Sequence, residues 1–150
     1  MHVGFEDANG NKAIQTCETP LTVMLVDDEE TMHEILGLAL RTTEYSLVSA
    51  TNVGEAMKMI GSSHPPDIVI TDAMMPGDSG FSLITSIKSN PTTADIPVIL
   101  WTVLEQLNGA VMDSSGKADI TMSKPFSLPD LLDCLARARG LIKTNMDISF

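Results

Sequence analysis

The sequence predicts an α/β fold, a five-stranded parallel sheet with helices packed on both of its faces. Three observations carry that expectation. Apolar, strand-like stretches at 21–26, 68–70 and 96–101 lack the polar alternation of a half-exposed strand, and such stretches suit strands covered on both sides. Segments with apolar residues at helical spacing follow them. The two kinds of segment alternate along the whole chain, as repeated βα units require.

Composition sets the bounds. A chain of 150 residues with 43% hydrophobic content is long enough for one domain with its own core. No apolar run approaches the ~18 residues of a membrane-spanning helix, and the N-terminus has no basic-then-apolar signal pattern. A cytoplasmic location is expected. Cys17 and Cys134 belong to no CxxC pair and read as reduced bystanders. The net charge of −11 repels phosphate backbones and anionic membranes. It argues against direct nucleic-acid binding and suits cations or basic protein partners.

Residues 1–20 contain Gly4, Gly10 and Pro20 and no sustained periodicity, so they read as a flexible leader. Leu21 opens the first strand, which runs into Asp27-Asp28-Glu29-Glu30. Met32, Ile35, Leu36, Ala39 and Leu40 then form an amphipathic helical stripe, with acids near its positive end. Residues 45–50 read as an edge-like second strand. Val53, Ala56, Met57 and Ile60 give a second helix, broken by 61–66. The third strand, 67–72, ends in Asp72 before the Met74-Met75-Pro76-Gly77 turn. Phe81, Ile84 and Ile87 mark the third helix, closed by Asn90-Pro91. The fourth strand spans 96–102, with Pro97 tolerable near its start. A weak helix is expected over 105–116 and a short, edge-like fifth strand over 118–123. Leu128, Leu131, Leu132, Leu135 and Ile142 define the last helix, with Ser127 as N-cap and Pro129 and Asp130 just inside.

The first, third and fourth strands are apolar throughout, whereas the second and fifth look half exposed. With right-handed crossovers this selects strand order 2-1-3-4-5, the flavodoxin-like doubly wound (βα)5 sandwich. In that topology the carboxyl ends of the first, third, fourth and fifth strands converge. They deliver Asp27 and Asp28, Asp72, Thr102 and Lys124. Clustered acids repel one another unless a hard cation sits among them, and Mg²⁺ accepts one or two carboxylates, a backbone carbonyl and waters. One acid is then available as a nucleophile, with Lys124 and Thr102 as donors to a transferred phosphoryl group.

These residues resemble the receiver domain of two-component response regulators, the family that includes the chemotaxis response regulator. The likeness covers about 21–142. It rests on Asp27-Asp28, on Asp72-Ala73-Met74-Met75-Pro76 with Gly80 downstream, on Thr102, and on Lys124-Pro125-Phe126. Each motif alone is weak; in this order and spacing they are specific together. The resemblance implies a receiver domain over 21–143 with a C-terminal tail at 144–150. It implies that Asp72 is the phosphoacceptor and Asp28 a direct Mg²⁺ ligand, with Asp27 acting largely through water. The Met74 carbonyl would be a further metal ligand. Thr102 would swing towards the phosphoryl group, Lys124 would pair with the phosphoaspartate, and the peptide before Pro125 would be cis. The donor would be a histidine kinase or phosphotransfer protein, and the output a stand-alone, phosphorylation-dependent interaction with a protein effector, as a monomer or weak dimer. Such a domain is not an enzyme beyond catalysing its own phosphorylation and slow dephosphorylation.

The pattern also departs from that family. Tyr or Phe commonly stands three residues before the lysine, and here the position holds Thr121. Val103 replaces a smaller residue, and the often polar positions two after Asp72 and Thr102 hold Met74 and Leu104. A degenerate receiver acting only as an interaction module is therefore a rival reading. An aspartyl-nucleophile phosphohydrolase of the haloacid-dehalogenase type is another, though it needs a second acid where Met74 stands. A flavodoxin would share the topology, but the four acids after the first strand would repel a bound phosphate. Asp27 and Asp28 as mere helix caps, Thr102 as an ordinary strand-end residue and Lys124 as a solvated lysine are the plain alternatives. His2, His33 and His64 show no metal-ligand spacing and read as surface residues.

Overall fold

A computed structural model describes residues 20–73, 75, 80–103, 118–124 and 126–142. The strands are β1 (Leu21–Val26), β2 (Tyr45–Ala50), β3 (Ile68–Asp72), β4 (Val98–Val103) and β5 (Ile120–Lys124). The helices among the described residues are α1 (Glu30–Leu40), α2 (Val53–Ile60), α3 (Gly80–Ser89) and, last in the chain, α4 (Leu128–Arg139). All pairings are parallel and the order is β2-β1-β3-β4-β5, as the sequence predicts. The helix expected over 105–116, the Met74 carbonyl, Leu104, the peptide at Pro125, and the leader and tail beyond 20 and 142 lie outside the described residues.

Strand alternation sorts the core into two layers. Val23, Leu25, Ile68, Ile70, Ile99, Trp101, Ile120 and Met122 face one side, where Leu36 and Leu40 of α1 and Leu131, Leu135 and Ala138 of α4 cover them. Met24, Val26, Val69, Val98 and Leu100 face the other, under Ala56 and Ile60 of α2 and Leu83, Ile84 and Ile87 of α3. The central strands are buried on both faces, while β2 carries exposed Ser46 and Ser49 and β5 carries exposed Thr121.

The helix ends follow local chemistry. The Asn52 side chain accepts from the Glu55 amide at 2.8 Å, and Glu55 Oε1 accepts from the Thr51 amide at 2.7 Å. The Thr51 amide and the Thr51 hydroxyl, which donates to the same oxygen at 3.1 Å, hold the Glu55 carboxyl below its usual range. Ser127 and Asp130 form a capping box at α4. Three expectations need correction. Ile35 faces solvent, 46% exposed, because the buried stripe of α1 runs through Leu36 and Leu40. Gly140 caps α4, so Ile142 lies beyond the helix rather than within it. The fourth strand starts at Val98, since Pro97 has no amide for the ladder; its carbonyl still accepts from the Val69 amide at 3.0 Å.

Candidate functional site

Register fixes the level at which each strand ends. Val26 lies opposite Thr71, so Asp27 leaves β1 beside Asp72 at the end of β3. Asp72 in turn lies opposite Trp101, and Val103 opposite Lys124. Asp27, Asp72 and Lys124 have the parity of Leu25, Ile70 and Met122, on the α1 and α4 side of the sheet. Asp27, Asp28 and Asp72 each offer a carboxylate oxygen, and these lie within 4.8 Å of one another. Lys124 Nζ stands 3.5 Å from Asp27 Oδ2 and 3.6 Å from Asp72 Oδ2. One ammonium against three carboxylates leaves the cluster net negative.

Burial differs sharply within it. Asp27 is fully buried, Asp72 is partly exposed at its side chain, and Asp28 is open to solvent. Asp27 survives burial because its polar atoms are engaged. Its amide donates to the Ala50 carbonyl at 3.1 Å, its Oδ1 accepts from the Glu29 amide at 2.9 Å, and its Oδ2 faces Lys124. Neither Asp27 nor Asp28 is the N-cap of α1, a position that Glu29 holds.

The donor set fits a small divalent cation. Oxygens on opposite vertices of a magnesium octahedron are about 4.2 Å apart. Adjacent vertices are about 3 Å apart, and three ligands must include at least two adjacent pairs, so oxygens spread over as much as 4.8 Å would have to draw together to share one ion. Thr102 is fully buried one residue past Asp72's partner in the sheet. Its parity is that of Val98 and Leu100, so it belongs to the opposite layer from the acids. Lys124 is not a freely solvated lysine, with a side chain only 20% exposed.

Two neighbours complete the site, of which His33 is not anticipated by the sequence. His33, expected at the surface, is half-buried, with Nε2 2.7 Å from the Asp27 carbonyl oxygen and Nδ1 2.8 Å from Ser49 Oγ. Helical side chains lean towards the N-terminus, so a residue early in α1 covers the loop before it; that lean was the available signal. Trp101 lies under Lys124 and meets Phe126 edge to face, with ring centroids 4.8 Å apart.

Comparison with known proteins identifies the family and the fold. The family profile described as "Response regulator receiver domain" matches residues 23–136. The phosphate regulon transcriptional regulatory protein PhoB of Pseudomonas aeruginosa is 31% identical over 81% of this chain and 52% of its own length. The response regulator PleD of Caulobacter vibrioides is 32% identical over 84% of this chain and 27% of its own length. The chain thus spans about half the length of PhoB, and less of PleD. Among solved structures, the receiver domain of a Syntrophus aciditrophicus signal transduction histidine kinase superposes with a TM-score of 0.74 at 29% identity, covering 86% of this chain and 97% of that one. The Thermotoga maritima response regulator TrrA, solved in complex with Mg(2+)-BeF, gives a TM-score of 0.69 at 30% identity, covering 79% of this chain and 98% of that one. The chain belongs to the response regulator receiver domain family.

Proposed function

We propose that this domain accepts a phosphoryl group on Asp72 from a phosphohistidine of a histidine kinase or phosphotransfer protein, with Mg²⁺ bound by Asp27, Asp28, Asp72 and the Met74 carbonyl. The observation that carries the reading is the meeting of three carboxylates and Lys124 at the carboxyl edge of the sheet. An Asp72 carboxylate oxygen attacks phosphorus, the P–O bond forms as the P–N bond breaks, and the departing imidazole takes up a proton. Bound Mg²⁺ supplies positive charge to the transferring phosphoryl oxygens. Lys124 already lies within 3.6 Å of Asp72 Oδ2 and offers its ammonium to the same oxygens. Thr102 donates its hydroxyl after turning from the opposite layer. Water attacking the aspartyl phosphate later releases inorganic phosphate and restores Asp72.

The proposal extends to action in the cytoplasm, as a monomer or weak dimer whose phosphorylated form docks on a protein effector. A net charge of −11 disfavours contact with nucleic acid or an anionic membrane. No helix among the described residues is long and apolar enough to cross a membrane. An interaction module without phosphoryl transfer has one observation in its favour, the exposed Thr121 where the family commonly carries an aromatic ring. Incubation with acetyl phosphate and Mg²⁺ followed by intact-mass measurement separates the two. An added phosphoryl group on the wild type and none on Asp72→Asn is expected. Equal labelling of both would remove Asp72 from its role, and labelling of neither would favour the interaction module.

A further inference from the structure

We infer that His33 is a positioning residue for the metal site, fixing the peptide that joins Asp27 to Asp28 and so favouring Mg²⁺ over a larger cation. The inference rests on the metal-dependent reading given under Proposed function. The Asp27 carbonyl can only accept, so His33 Nε2 carries the proton in the 2.7 Å contact. With the ring neutral, Nδ1 accepts from the Ser49 hydroxyl at 2.8 Å. The imidazole is thereby a strut between α1, the edge strand β2 and the loop that carries two of the three acids.

What the strut adds follows from the other contacts of Asp27. Its amide is held by Ala50 of β2, and its carboxylate by the Glu29 amide and Lys124. The Glu29 amide lies past Asp28, so these bonds tether Asp27 and the far side of Asp28, with the Asp27 carbonyl between them. Within that tether, a partner on the carbonyl restrains the plane of the Asp27–Asp28 peptide and with it the direction in which exposed Asp28 projects. Among the described residues, His33 is the partner of that carbonyl. Mg²⁺ demands near-ideal octahedral geometry at 2.0–2.1 Å, whereas Ca²⁺ accepts longer and more variable distances. Loosening the peptide therefore penalises Mg²⁺ more than Ca²⁺.

The test is titration of Mg²⁺ and Ca²⁺ by calorimetry on the wild type, His33→Leu, His33→Gln and Ser49→Ala, with melting in EDTA to report the fold. His33→Leu should lose about tenfold in Mg²⁺ affinity, in the range seen when groups that orient metal ligands are removed. It should lose less for Ca²⁺, so the Mg²⁺/Ca²⁺ ratio falls. His33→Gln, which retains a donor, should recover part of that ratio. An unchanged ratio in a folded His33→Leu overturns the inference, as does an equal loss for both cations. If His33→Leu does not fold, Ser49→Ala decides, because Ser49 is exposed and its removal frees only the far end of the strut; a ratio equal to wild type then overturns it. A wild type that binds neither cation would refute the underlying metal-dependent reading, and this inference with it, whereas wild-type binding with indifferent variants refutes the role of His33 alone.

Discussion

Lys124 stands over the indole of Trp101, its Nζ 5.3 Å from the ring centroid. The same ammonium is 3.5 Å and 3.6 Å from its two carboxylate neighbours, longer than the ~2.8 Å of a tight charge-assisted hydrogen bond. It is held by several attractions and closed onto none of them. Such a lysine can move to a new anion without first breaking a short ion pair.

That arrangement predicts measurable coupling between Trp101 and Lys124. A double-mutant cycle with Trp101→Leu and Lys124→Met, read by urea denaturation, should give a coupling of about 0.5–2 kcal/mol, the range for a partly desolvated cation–π contact. Trp101→Leu alone should cost about 2–4 kcal/mol, because the indole is fully buried and packs on Phe126. Trp101→Phe should cost less. It keeps an aromatic face and removes Nε1, which is buried without a hydrogen-bond partner among the described residues. Additive single effects would show that the ring does not hold the lysine.

Burial separates the two acids after β1. Asp28→Asn removes an exposed charge from a net-negative cluster and should stabilise the metal-free protein by up to about 1 kcal/mol. Asp27→Asn should destabilise it by about 1–3 kcal/mol, since Asp27 is fully buried and engaged by Glu29 and Lys124. Both substitutions should abolish a Mg²⁺-induced rise in melting temperature, which in the wild type corresponds to about 2.7 kcal/mol at a hundredfold excess over Kd. Thermal melts in EDTA and in Mg²⁺ check all of this. Stabilisation by Asp27→Asn would mean that repulsion outweighs its hydrogen bonds.

The contrast between Asp72 and His33 shows what could be read from the chain. Strand ends are legible because apolar runs fix the strands, parallel pairing fixes their level, and alternation fixes the face. Those rules place Asp27, Asp72 and Lys124 together, and the bounds of β1 and β2 emerge residue for residue. His33 depends on where α1 begins, on the lean of its side chains and on a serine of the edge strand, none of which leaves a periodic signal. The exposure of Ile35 has a related cause. A stripe read at i, i+3 and i+4 is wider than the face that α1 buries, and only the packing of Leu36 and Leu40 on the sheet chooses among its members.

Lys88 provides a prediction about stability without function. Its Nζ lies 2.7 Å from Asp119 Oδ2 and donates to the carbonyls of Ala94 at 3.1 Å and Ile96 at 2.8 Å. Asp119 also accepts from the Val98 amide at 2.8 Å and returns its own amide to the Val98 carbonyl at 2.9 Å. This knot ties α3 to the amino-terminal edge of β4 and β5, away from the acids. Lys88→Met should cost about 1–3 kcal/mol in urea denaturation, with the ion-pair share reduced because both side chains are partly exposed. Mg²⁺ affinity should be unchanged; a loss of affinity would show that the two edges of the sheet are coupled.

Gly80 gives a prediction in which two physical effects have opposite signs. It opens α3, and its amide donates to the Ala73 carbonyl at 3.0 Å, docking the helix directly on the end of β3. A Cβ at this position would lie 2.0 Å from the Asp72 carbonyl oxygen and 3.0 Å from both the Asp72 carbonyl carbon and Thr71 Oγ1. Helix propensity alone favours Gly80→Ala, by up to about 1 kcal/mol in a helix interior. The close approach opposes it, and the nearest atom is backbone that cannot swing aside. Overpacking of this kind costs about 1–3 kcal/mol, occasionally more, so the net effect should be destabilising. The strain also falls on the backbone of Asp72 itself. Gly80→Ala should therefore lose phosphorylation by acetyl phosphate under conditions where it remains folded, while Lys88→Met, of similar stability cost, keeps it. Wild-type stability and labelling in Gly80→Ala would mean that α3 can shift without disturbing Asp72.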